Sequence, residues 1–153
     1  MRIRELLDTH LVLCDMAATD KKAALTELCA PLAAQHPSLD REQMVRVLLE
    51  RERLGSTGVG AGVAIPHGKL PQLGELLAVF GRSQAGVEFA SIDDAPAHLF
   101  FVLFAPEDAA AMHLKALARI SRLLKMAEFR ETLLQATSPD QVLDAIAAAE
   151  AQI

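Results

Sequence analysis

Apolar residues recur along the chain with two different periods, and the change of period divides it into a helical beginning, a strand-rich middle and a helical end. In KKAALTELCAPLAA, residues Ala24, Leu25, Leu28 and Leu32 fall at helical spacing behind Thr19 and Asp20. That predicts a helix, with Pro31 set to kink or end it. A second helix is signalled by Asp40 as N-cap, Gln43 three residues on, and apolar Met44, Val47, Leu48 and Leu54; it should run to about Arg53. The glycine cluster GSTGVGAG, residues 55–62, breaks the period and predicts a loop. A brief strand Val63-Ala64-Ile65 follows, ended by Pro66, with His67 at its exit.

Further strands are predicted over Leu76–Gly81, Gly86–Phe89 and above all Ala97–Phe104, whose run AHLFFVLF suits a strand buried on both faces. Beyond Asp108, AAAMHLKALARISRLLKM places apolar residues at 112, 116, 117, 120, 123 and 124, an amphipathic helix, and a shorter helix fits 128–135. The last helix has a full start signal: Ser138 as N-cap, Pro139 at its first position and Gln141 completing a capping box before Val142, Leu143 and Ile146. Helices flanking a run of strands give an α/β or α+β sandwich. The expectation is α/β, a central mixed β-sheet flanked by helices on both faces, in a single compact domain over residues 1–153.

Composition narrows the function. The net charge is −5, and no basic block exceeds Arg51-Glu52-Arg53, which argues against nucleic-acid binding. There is no Trp and no Tyr, and Phe80, Phe100, Phe101 and Phe104 sit in apolar runs that belong to a core and not to a base-stacking platform. The apolar stretch 11–14 is too short for a signal-peptide core or a membrane span, so the expected location is the cytoplasm, without membrane insertion. Cys14 and Cys29 lack metal or redox spacing and read as reduced, partly buried thiols.

The spacing of the glycine loop fits none of the common phosphate-binding motifs. The dinucleotide fingerprint would need a third glycine where Val63 stands, and the loop precedes a strand where it ought to follow one. Gly62, Gly68 and Lys69 miss the P-loop spacing, and Gly55-Ser56-Thr57-Gly58 is not a nucleophile elbow. The histidines at 10, 36, 67, 98 and 113 are scattered, with no zinc or EF-hand pattern, so neither a metal nor a cofactor is expected.

What remains is His67 in a stiff frame. Pro66 fixes its own φ and extends Ile65, while Gly68 permits a backbone or a bulky oxyanion to approach. A histidine held this way can act as a nucleophile towards phosphorus. On these grounds alone, a packing role stands beside a functional one.

The stretch LLERERLGSTGVGAGVAIPHGKL, residues 48–70, resembles the EIIA domain of the fructose/mannitol class of the bacterial phosphoenolpyruvate-dependent phosphotransferase system. Glu52, Val59-Gly60 and Val63-Ala64-Ile65-Pro66-His67-Gly68 carry the match, and Gly55-Ser56-Thr57-Gly58 makes it most similar to the nitrogen-related branch, EIIA-Ntr. The resemblance implies that His67 accepts a phosphoryl group from the phosphohistidine of an HPr-like carrier, called NPr in that branch. It also implies that His113 and Arg51 stabilise the group, with Ser56 and Thr57 either adding hydroxyl donors or ordering the loop. The implied role is a phosphocarrier that signals through its phosphorylation state to targets such as potassium-transport components or sensor kinases. Such a chain is a transferase-like relay and not a turnover enzyme on small molecules. Two other readings stay open: a sugar-specific EIIA that donates to an EIIB domain, and a binding module no longer phosphorylated. Leu54, Val59, Val63 and Ile65 are expected to surround the site with an apolar docking surface.

Overall fold

The computed structural model describes residues 1–153. Two 3₁₀ turns, Ile3–Leu6 and Thr9–Leu11, lead into β1 (Val12–Leu13). Then come α1 (Lys21–Gln35), α2 (Arg41–Arg53), β2 (Gly58–Gly60), β3 (Val63–Ala64), β4 (His67–Leu70), β5 (Leu77–Val87), β6 (Ala97–Pro106), α3 (Ala110–Leu124), α4 (Ala127–Gln135) and α5 (Pro139–Glu150). The sheet order is β1-β5-β6-β3-β2, and β4 also pairs with β6. Strand β6 runs antiparallel to β5, with Phe80 opposite Phe101, and parallel to both β3 and β4. The sheet is therefore mixed, as expected.

Alternation along β5 shows how the helices divide between the faces. At Gly81 a side chain would collide with Leu28 of α1. The next residue, Arg82, sends its guanidinium to the opposite face, where it donates to the backbone carbonyls of Leu133, Leu134 and Ala136 at the end of α4. Helices α1 and α2 thus cover one face, and α3, α4 and α5 the other. In β6, Ala97 and every residue from Leu99 to Pro106 are buried, as a central strand between two helical layers requires. One continuous cluster of 44 buried apolar residues joins both layers to the sheet, so the chain is one compact domain.

Helix starts follow the expected caps. Asp20 accepts from the Ala23 amide, Asp40 from Glu42 and Ser138 from Gln141. Gln141 reaches back to the Thr137 amide, one residue before the cap.

Four details differ from the sequence expectation. Helix α1 passes through Pro31 and ends at Gln35. An interior proline costs about 3 kcal/mol, but Leu28, Cys29 and Leu32 on either side are fully buried, and about 1.5–3 kcal/mol for each buried aliphatic side chain outweighs it. The glycine stretch is not all loop, since β2 lies within it. The two strands expected over 76–89 form the single strand β5, with a register shift between Arg82 and Val87 and Gly86 at φ +92°. Finally, His67 opens the new strand β4 and does not simply trail the preceding one.

Candidate functional site

Strand β4 sets the site. His67 lies opposite Leu103 and Gly68 opposite Phe104 in the parallel pairing with β6, and successive side chains of β4 point to opposite faces. Gly68 faces α2 so closely that a Cβ would strike Val47. His67 consequently faces the other layer, where α3 brings His113. The two imidazoles meet edge to face, ring centroids 5.6 Å apart and planes at 75°. The need for glycine at 68 is packing against α2, and the open approach for an oxyanion that the sequence suggested does not describe it.

The His67 ring is held by its own backbone. Nδ1 lies 2.8 Å from the carbonyl oxygen of Ile65. A carbonyl only accepts, so Nδ1 carries the proton and Nε2 of the neutral ring keeps its lone pair. The Ile65 amide in turn donates to the Thr57 carbonyl at 3.0 Å. Thr57 is itself fixed by the buried carboxylate of Glu52, which accepts from its amide at 3.0 Å and from its hydroxyl. A hydrogen-bonded chain therefore runs from the last turn of α2 through Thr57 and Ile65 to the imidazole. Lys21, above the Phe89 ring, completes the anchor with a 3.0 Å ion pair to Glu52.

Burial depresses the pKa of His67, an effect opposed by the bond to Ile65, reinforced by Arg51 and opposed by Glu52. His113 is depressed in the same way, first by burial and then by the charges of His67 and Lys69. Both rings are thus biased towards the neutral form at pH 7. His113 is 7% exposed, and its Nε2 has no hydrogen-bond partner within the protein.

Arg51, half-buried in the last turn of α2, donates Nη1 to the Gly55 carbonyl at 2.9 Å and pairs with neither Glu50 nor Glu52. Most of its guanidinium donors remain available. His67, His113 and the charge of Arg51 are therefore brought together. Ser56 and Thr57 are not free in the same sense: the Ser56 hydroxyl donates to the Phe89 carbonyl and the Thr57 hydroxyl to Glu52, an arrangement that orders the loop. Of the expected apolar surround, Leu54 is 85% and Val59 51% exposed, whereas Val63, in the inner strand β3, and Ile65, just after it, are core residues. Met112 and Leu114 on α3 add exposed apolar surface.

The sequence pattern assigns no task to Glu52, Lys21 or Lys69. A local signal for a buried role of Glu52 is its place on the apolar side of its helix, four residues after Leu48. The pairing with Lys21 depends on the fold and had no signal.

A mixed sheet between two helical layers, with His67 at the start of a strand and His113 of α3 against it, defines the IIA class of domain. Residues 5–149 match the family described as "Phosphoenolpyruvate-dependent sugar phosphotransferase system, EIIA 2", and the chain belongs to that family. A nitrogen regulatory protein from Bradyrhizobium diazoefficiens is 47% identical over 125 residues, 82% of this chain and 81% of that protein. The fructose-specific EIIABC component of Bacillus subtilis is 39% identical over 146 residues, 95% of this chain but 23% of that longer protein. Among solved structures, the nitrogen regulatory protein IIA-Ntr of Neisseria meningitidis superimposes with a TM-score of 0.88 at 33% identity, over 94% of this chain and 98% of that one. The similarity to the nitrogen-related branch thus holds in both sequence and fold. No helix is long and apolar enough to cross a membrane.

Proposed function

We propose that this chain is the phosphocarrier of a nitrogen-related phosphotransferase system and that Nε2 of His67 accepts the phosphoryl group. The observation that carries this is the bond from Nδ1 to the Ile65 carbonyl, which leaves Nε2 as the nucleophile. The donor is the phosphohistidine of an HPr-like carrier (NPr). The Nε2 lone pair forms the new N–P bond as the donor's N–P bond breaks, and that electron pair returns to the donor's ring. Phosphoryl transfer of this kind relies on alignment and charge neutralisation. Alignment comes from the chain Glu52–Thr57–Ile65. Neutralisation comes from Arg51, which exchanges its hold on Gly55 for the phosphoryl oxygens, and from the unpartnered Nε2 of His113, which donates as N–H.

A dianion arriving on half-buried His67 alters the charge of a surface that also carries exposed Leu54, Met112 and Leu114. Regulatory targets such as potassium-transport components or sensor kinases would read that change. The fructose-specific relative favours a second reading, in which the phosphoryl group passes on to an EIIB domain to drive sugar uptake.

The test is to incubate the purified protein with phosphoenolpyruvate and the general phosphotransfer proteins, then map acid-labile phosphate by mass spectrometry. One phosphate on His67, absent in His67→Ala, is the expected result. An unmodified protein beside competent donors would leave a binding module only. Rapid discharge of the phosphoprotein by a fructose-type EIIB domain would favour the transport reading.

A further inference from the structure

The outer side of the helical layer opposite His113 carries a groove of about 450 Å³ between α1 and α2. Lys22 of α1 and Arg41, Arg46 and Arg53 of α2 line it, and the only carboxylate in its wall is Glu42. All four cations are exposed, and the molecule's three ion pairs, Lys21–Glu52, Arg82–Asp15 and Arg119–Glu150, use none of them. This concentration of unpaired positive charge sits on a chain whose net charge is −5. A surface of mixed charge needs no explanation, but four cations against one carboxylate in a single concavity make a local field opposite in sign to that of the whole molecule.

We propose that this groove docks an acidic, partly apolar segment of a partner protein. Length and chemistry select that occupant. Arg41 and Arg53 stand twelve residues apart on one helix, about 18 Å along its axis. That spacing exceeds what one phosphate cluster can bridge and matches three helical turns of a partner. Half-buried Leu49, over buried Val45, lies in the groove between the cations and offers apolar contact. The Thr26 hydroxyl is already donated to the Lys22 carbonyl at 2.8 Å, so charge and apolar contact dominate recognition. No aromatic ring lines the groove to stack a nucleobase, and the negative remainder of the molecule repels a long polyanion.

Arg51, two positions before Arg53, points away to the site, so the groove and His67 are separate surfaces and a partner held here leaves the histidine accessible. A target could be tethered in the groove while its response is set at His67.

The test uses the intact protein and a fluorescent peptide of about twelve residues carrying glutamates and leucines at helical spacing. Anisotropy should show binding that weakens as salt rises. Backbone amide shifts should concentrate at Lys22, Thr26, Val45 and Leu49. The double variant Arg41→Glu, Arg46→Glu should bind at least about fivefold more weakly with an unchanged melting temperature and unchanged phosphoryl uptake. That last readout separates failure of this proposal from failure of the carrier reading. No binding, equal binding by the double variant, shifts centred on His67, or equally tight binding of inorganic triphosphate or a single-stranded oligonucleotide would overturn the proposal.

Discussion

At the scale of single residues, the chemistry of His67 is set by groups that never touch its reactive nitrogen. The Ile65 carbonyl fixes the tautomer, and burial together with Arg51 keeps the ring neutral below its ordinary pKa of 6.5. A depressed pKa means that the nucleophilic form persists as pH falls, so phosphoryl uptake should hold through pH 6.5 and decline only below it. Arg51→Met removes a charge that lowers this pKa. The variant should show a His67 titration moved upwards by NMR and a pH–rate profile whose acid limb moves the same way. Uptake at pH 8 should still fall by about 10²-fold or more, as when a preorganised oxyanion donor is lost. An unmoved titration with normal uptake would remove Arg51 from the site. The family resemblance singles out His67, His113 and Arg51, and the fold sets His67 against His113 within the field of Arg51. Glu52 belongs to the same motif, but its task, to bond Thr57 and Lys21, depends on contacts that only the fold makes.

At the scale of elements, the helix starts and the brief strand at Val63–Ala64 were legible in the sequence, whereas the extent of β5 and the strands β2 and β4 were not. Helices α2 and α5 begin where their caps stand, since an Asp or Ser at an N-cap acts locally. Strands β2 and β4 have only three and four residues and owe their existence to pairing with β3 and β6, which no local pattern encodes. Pro31 misled for the same reason, because tertiary burial of its neighbours overrode a local rule. Position 68 offers a test at this scale. Gly68→Ala places a methyl against Val47 across the β4–α2 contact, which should cost about 1–3 kcal/mol of stability in urea titrations. Because β4 carries His67 on its other face, phosphoryl uptake should slow as well. A variant as stable and as active as the parent would show that β4 and α2 are less tightly coupled than the packing indicates.

At the scale of the whole molecule, the chain is closed by Glu150 at the end of α5. Its buried carboxylate accepts from the amides of Ile3 and Arg4 and from Nε of Arg119 at 2.6 Å, which joins the N-terminal turn to α3 and α5. Burial alone would raise its pKa, yet the Arg119 bond and the two amides hold it below the ordinary 4.5. A folded pKa below the unfolded one adds stability above the unfolded value, and that stability is lost as pH falls through the folded value. Glu150→Gln should therefore cost about 1.5–3 kcal/mol at pH 7, and its deficit relative to the parent should shrink in acid below pH 4.5. A deficit independent of pH would show that the carboxylate charge is not what holds the terminus.

The central claim is that one nitrogen of one histidine holds the phosphoryl group. It is tested most directly by two-dimensional NMR of the protein labelled with ¹⁵N in its imidazoles, after charging with a phosphorylated HPr-like carrier. The expected spectrum has a single phosphohistidine, His67, with the phosphorus on Nε2 and the proton retained on Nδ1. Phosphorus on Nδ1, on His113 or on no histidine at all would contradict the account.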